Sequence, residues 1–252
     1  KEAIKHDSTN LGFYHNLYRI NTAYFDDEKI QTIEKILKKE NISNFNKASG
    51  FFILAYDQRK KENFKKEFKY LIEAHKSFHF SNETINNQVS FYWIRLMPKL
   101  IEKISFVQKE KLIKKIQPLF IVGLPRSGST LIESIISSGK EIIPNGGETS
   151  IINRTLLDDN KNFFVNKDFL NETKKLDINP DSFCEKIISQ YEALNLLDKN
   201  KNYILTDKSL ENFFFIEIII KLLPDAKIIN CERDIFQIII SIFQNFLSNI
   251  KW

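Results

Sequence analysis

The stretch LFIVGLPRSGSTLIES, residues 119–134, constrains the fold more than any other part of the chain. Four apolar residues run into a loop with two glycines, and the loop runs into the opening of a helix. An uninterrupted apolar run of this length suits a strand buried on both faces. The same grammar recurs downstream. YILT at 203–206 and KIINC at 227–231 read as strands, while STLIESIISS, ENFFFIEIIIKLL and DIFQIIISIFQNFL read as the helices between and after them. Alternation of strand and helix predicts a parallel sheet in a three-layer α/β domain, with right-handed crossovers and helices on both faces. Ligands bind such sheets at the carboxyl ends of the strands, which here follow Val122, Thr206 and Cys231.

Before Pro118 the pattern is different. Residues 1–116 are poor in glycine and carry apolar residues at helical spacing, as in KASGFFILAYDQRKKENFKKEFKYLIEAHKSF. Phe52, Leu54, Ala55 and Tyr56, a polar turn near Lys60 to Asn63, then Phe64, Phe68, Leu71 and Ile72 predict a helix hairpin. An earlier pair fits between about Phe13 and Leu37. The offset, matching Ile30 with Phe64 and Leu37 with Leu71, is about 34 residues, the period of tetratricopeptide repeats; a plain helical bundle is the alternative. Asn82 suits an N-cap ahead of Glu83, for a helix toward Met97 that Pro98 interrupts before Lys99 to Lys115. The expected domains are thus 1–116, helical with tetratricopeptide-like hairpins, and 117–252, α/β.

Charge and composition limit the partners. With 37 Lys+Arg against 32 Asp+Glu the formal net charge is +5, and no arginine-rich tract marks a nucleic-acid face. A small anionic ligand suits this mild basicity better. Cys184 and Cys231 lie far apart, without the spacing of a zinc site or a disulfide framework, and read as free thiols. Neither Phe213 to Leu223 nor Ile235 to Leu247 reaches the roughly 18 uninterrupted apolar residues of a membrane span, so no transmembrane segment is expected. No secretory leader opens the chain, and a cytoplasmic location is the expectation. The chain begins with Lys1 rather than methionine, which reads as a fragment.

Each strand end carries polar residues that suit an anion. Gly123, Gly128, Ser129 and Thr130 reproduce the G-x-x-x-x-G-x-[ST] spacing of a nucleotide-binding loop, with serine where lysine normally stands. Backbone amides and a helix N-terminus can cradle a phosphate there, and Arg126 adds a fixed positive charge. Without the lysine, nothing in the loop reaches a γ-phosphate. A tight strand-to-helix connection is the plainer account. After the third strand, Arg233 can fork onto a phosphate and the Ser241 hydroxyl in the next helix can complete the cup. Arg233 could equally pair with Asp234, and Ser241 could bond back to its own helix. After the second strand come Asp207 and Lys208. All four histidines (His6, His15, His75 and His79) fall before residue 117, so the α/β half has no histidine base, and Glu148 in GGETSIINRTL is the best remaining candidate. A plain helix start with acid in its first turn is the competing account of that segment.

These segments resemble one family. GLPRSGSTLIE resembles the 5′-phosphosulfate loop of sulfotransferases, especially bacterial ones joined to tetratricopeptide repeats and the related protein-tyrosine sulfotransferases. CERDIFQIIIS resembles their 3′-phosphate motif, TDKSLENF their TDK-x-P-x-NF segment with Leu210 in place of proline, and GGETSIINR their catalytic-base segment. The resemblance implies transfer of a sulfuryl group from 3′-phosphoadenosine 5′-phosphosulfate to a hydroxyl or amine, without a metal. It implies that Pro125, Arg126, Ser127, Gly128, Ser129 and Thr130 hold the 5′-phosphosulfate and that Arg233 and Ser241 hold the 3′-phosphate. Glu148 would be the base, with Lys208 and Arg126 stabilising the departing phosphate. Gly147 and Ser150 depart from the tyrosine-sulfating pattern and leave the acceptor open: protein, carbohydrate or small molecule. The resemblance also implies elements beyond Trp252, so that the α/β domain is truncated. The helical half would supply a protein partner's site or self-association. Two other functions fit the residues less fully. One is a P-loop kinase or nucleoside triphosphatase with magnesium on Thr130 and Asp207, and the other a catalytically inactive helical-repeat interaction module.

Overall fold

The structure is a computed structural model describing residues 1–106, 116–139, 143–164, 175–197 and 204–247. Contacts divide the chain into two compact units: Lys1–Ser90 with the segment from Ile240, and Phe91–Ile239.

The helical unit starts with a short α1 (Glu2–His6), followed by α2 (Leu11–Ile20) and α3 (Asp27–Leu37), then α4 (Asn44–Lys60) and α5 (Phe64–Ser81). The starts are set locally. Asn10, Asp26, Ser43 and Asn63 each accept a backbone N–H of the helix that follows, relieving donors with no partner inside the helix. Leu11, Ile33, Ile53 and Leu54 form the core of the first pair with α4, and Phe52, Ala55, Leu71 and Ala74 that of α4 with α5. The helical period holds, but the face of α5 differs from the expected one. Phe64 and Phe68 are exposed, whereas Glu67, Leu71 and Ala74 point inward. Glu67 is carried inside by Arg59, whose guanidinium lies 2.7 Å from its carboxylate, so a charged position took a place that periodicity assigned to phenylalanine.

Helix α6 (Glu83–Phe91) continues through a π-helical turn, Tyr92–Leu96, into α7 (Met97–Lys103), where Pro98 sits in the first turn and needs no hydrogen-bond partner for its nitrogen. The Asn82 amide nitrogen donates back to the Phe78 carbonyl of α5. The helix expected from Lys99 to Lys115 stops at Lys103; β1 (Ile104–Phe106) follows, and 107–115 lie outside the described residues.

Among the described residues the second unit has two parallel sheets. In the first, β1 pairs with β3 (Leu176–Ile178). The pattern change at Pro118 and the division of contacts at Ser90 therefore do not coincide, because strand β1, ahead of Pro118, pairs inside the α/β unit. The second sheet has β2 (Gln117–Gly123) at its centre, between β4 (Ile204–Asp207) and β5 (Lys227–Cys231). Phe120 and Ile121 are both fully buried and point to opposite faces, so both faces are covered at β2, as its apolar run requires. Burying each such side chain contributes about 1.5–3 kcal/mol. The unit's further helices among the described residues are α8 (Ser129–Ser137), α9 (Ile151–Phe164), α10 (Pro180–Ala193) and α11 (Ile216–Leu222), with the start of α12 (Ile235–Phe243), whose residues from Ile240, Ser241 among them, are counted with the helical unit. The single helix expected over 211–223 is split, with a 3₁₀ segment at Leu210–Phe215 before α11. Among the described residues no helix is long and apolar enough to cross a membrane, and both cysteines are free.

Candidate functional site at the strand ends

Strand register brings the polar segments together. Gly123 at the end of β2 pairs with Cys231 at the end of β5, and Phe120 with Asp207 at the end of β4. Gly123 has φ 146°, and a Cβ there would lie 2.6 Å from the Cys231 carbonyl oxygen, so only glycine lets the two strand ends close up. Burial pushes the Cys231 thiol's pKa up, so it stays protonated beside the loop.

The loop itself is strained. Arg126 has φ 69°, a left-handed conformation that residues other than glycine adopt only when their surroundings hold them there. Gly128, φ 103°, precedes the first turn of α8. Pro125 is partly buried, Arg126 and Thr130 are exposed, and Ser127 and Ser129 are buried. Among the described residues the Ser127 hydroxyl has no hydrogen-bond partner. A buried hydroxyl left unsatisfied beside a helix N-terminus suits an incoming anion oxygen. Arg233, just after β5, donates from its guanidinium to the Arg126 carbonyl at 3.2 Å and to Gln237 Oε1 at 3.0 Å. The first and third motifs therefore touch. Asp234 receives the Gln237 N–H as a helix cap rather than pairing with Arg233. Ser241 is carried by α12 and is partly buried.

The second motif meets the segment around Glu148. The Thr206 N–H donates to the Pro144 carbonyl at 3.0 Å and the Lys208 N–H to the Gly147 carbonyl at 2.8 Å. This stitching needs Gly146, where a Cβ would lie 2.0 Å from the Thr206 carbonyl oxygen. Glu133 of α8, 1% exposed, ties the same seam by accepting the Gly147 N–H at 2.9 Å and the Thr206 hydroxyl at 2.8 Å. Sequence reasoning missed Glu133; its one signal was a carboxylate in a helix otherwise made of apolar and hydroxyl residues. At the surface of the seam Lys208 Nζ lies 2.9 Å from Glu148 Oε1, with the lysine largely covered and the glutamate open to solvent.

Asp207 is a hub beneath that pair. Its Oδ2 accepts from the Thr149 hydroxyl and the Tyr191 hydroxyl, and its Oδ1 from the Ser209 N–H, the Ser209 hydroxyl and the Asn212 amide. Tyr191 can donate because burial, reinforced by the Asp207 charge, holds its phenol protonated. Five donors use up a carboxylate's lone-pair directions, so Asp207 has none left for the magnesium of a triphosphatase. The Ser209 N–H bond to Asp207, at 2.9 Å, also fixes the turn just ahead of Leu210. Ser150, φ 53°, one of the two departures from the tyrosine-sulfating pattern, donates its N–H to Ser209 Oγ and its hydroxyl to Glu211 and so braces the turn. Among the described residues no cluster of His, Cys, Asp and Glu could hold a metal ion.

A family model described as "Sulfotransferase family" matches residues 118–251, more than half of the chain. A curated relative, an uncharacterized protein of Aquifex aeolicus (strain VF5), is 26% identical over 228 residues, which cover 86% of this chain and 29% of that protein. The chain thus spans less than a third of that relative's length. No solved structure matches it.

Proposed function

We propose, from the premise that this chain belongs to the sulfotransferase family, that it transfers a sulfuryl group from 3′-phosphoadenosine 5′-phosphosulfate to a hydroxyl or amine acceptor. The observation that carries this reading is the meeting of three motifs at adjacent parallel strand ends. Arg233 reaches the loop at the Arg126 carbonyl, next to Ser127, whose hydroxyl has no partner among the described residues, and Lys208 is paired with Glu148.

The donor supplies the sulfuryl group and a phosphate leaving group. In this reading Pro125 to Thr130 hold the 5′ end through backbone amides, hydroxyls and the Arg126 guanidinium, and Arg233 with Ser241 binds the 3′-phosphate. The acceptor hydroxyl takes Lys208's place beside Glu148 and gives its proton to that carboxylate as its oxygen bonds to sulfur. Lys208 then donates to the oxygen whose bond to sulfur breaks, and Arg126 offsets the charge gathering on the phosphate. No metal takes part in this scheme. The kinase reading loses its support at Asp207, whose oxygens already serve five donors.

Residues 117–252 carry the chemistry in this proposal, and residues 1–116 serve a partner or self-association. A tetratricopeptide-like arrangement of α2 to α5 is supported by two hydrogen bonds between residues 34 apart, Gly12 N–H to Asn46 Oδ1 and Lys61 Nζ to Asp27 Oδ1. The exposed Phe64, matched with buried Ile30, speaks for a loose repeat.

Calorimetric titration without magnesium tests the donor assignment. The expected order is 3′-phosphoadenosine 5′-phosphate well ahead of adenosine 5′-phosphate and ATP, with the preference lost in Arg233→Ala. Equal losses for all three nucleotides, or binding of ATP that requires magnesium, would overturn it.

A further inference from the structure

The helical unit holds a cavity of about 340 Å³ between the first turns of α2 and α4, lined by Asn10, His15, Arg19, Asn46 and Ser49 and walled by phenylalanines. Among the described residues no aspartate or glutamate lines it, and Arg19 is its one formal charge, with no ion-pair partner. Asn10 and Asn46 both spend their Oδ1 on the Gly12 N–H, at 3.1 and 3.3 Å, so each offers its amide NH₂ as a donor. Two helix N-termini, capped by Asn10 and Ser43, add their partial positive ends. His15 and Ser49 are 3% and 0% exposed, and among the described residues His15 Nε2 and Ser49 Oγ have no partner. A wall rich in donors, a lone cation and two buried polar atoms without partners describe a place for something negative.

The geometry points to a second anion site in the helical unit, taking a small organic anion whose charged head meets Arg19 and the amides of Asn10 and Asn46 while its apolar body lies against Phe13, Phe45 and Phe246. The volume lies at the small end for ligand cavities, which suits a single substituted ring. A carboxylate, a sulfate ester and a phosphate ester share the head chemistry. This site is independent of the donor assignment at the strand ends.

Calorimetry on the whole chain with benzoate, phenyl sulfate, phenyl phosphate and neutral benzyl alcohol tests it. At least one anion should bind about tenfold or more tightly than the alcohol, and the tightest names the head group. Arg19→Gln, at an exposed position, should weaken that anion about tenfold with an unchanged melting temperature. Ser49→Ala should also weaken it while raising the melting temperature, because an unsatisfied hydroxyl is removed. Arg233→Ala should leave it unchanged. Binding of the alcohol as tight as the best anion, no binding by any probe, indifference to Arg19→Gln, or loss in Arg233→Ala would each overturn the proposal.

Discussion

Asp207 in the α/β unit and the His15–Ser49 pair in the helical unit are buried to the same degree, yet their surroundings are opposite. Asp207 collects five donors, whereas His15 Nε2 and Ser49 Oγ have none among the described residues. The difference separates polar groups that hold a fold together from polar groups kept open for something else. Ser127 shows that the division is by role and not by region, since its hydroxyl is open although it lies at the strand ends close to Asp207's sheet.

The largest test of this contrast is Asp207→Ala. It leaves Thr149, Tyr191, Ser209 and Asn212 without their acceptor and should cost about 3–5 kcal/mol in denaturant unfolding. A loss below about 1 kcal/mol would mean that the hub is not structural. Next comes pH. Burial, with Arg19 adding to it, pushes the His15 imidazole down to about 4. The unfolded chain takes up that proton near 6.5, so between pH 6.5 and 4 the unfolded state binds more protons, and stability falls as pH drops through that window. The loss approaches about 3 kcal/mol at its lower end. Hydrogen exchange of α2 and α4 amides should show this slope in the parent chain and a flatter one in His15→Gln. The smallest effect belongs to Ser127→Ala. Stability should change by less than about 1 kcal/mol, while the affinity for 3′-phosphoadenosine 5′-phosphate falls about tenfold. A large loss of stability would place Ser127 with Asp207 instead.

Much of this arrangement was legible in the sequence, and for a definite reason. Strands such as LFIV and KIINC announce themselves because two buried faces demand an apolar run, and glycine spacing announces a loop because only glycine permits the approach seen at Gly123. Strands β1 and β3 were invisible, since three residues are too few for a period. The inward face of α5 was misjudged because Glu67 is buried by a partner, Arg59, that no pattern within α5 reveals. At the site, Glu148 and Lys208 could be named, but not their contact, and Asp207 had a role only in the alternative kinase reading, as a magnesium ligand. A hub fed from residues 149, 191, 209 and 212 is a property of tertiary neighbours, and no linear spacing encodes it.

The central place of β2 has a consequence for how the protein is made. Of the three strands in its sheet β2 leaves the ribosome first, and both strands that flank it, β4 and β5, are synthesised long afterwards. Until they arrive, Phe120, Ile121 and Val122 sit on a strand with two vacant edges, the geometry that recruits other chains. A chain that stops before Lys227 leaves the β5 side of β2 unpaired, and the pairing of Gly123 with Cys231 ahead of the anion loop forms only once Cys231 has been added.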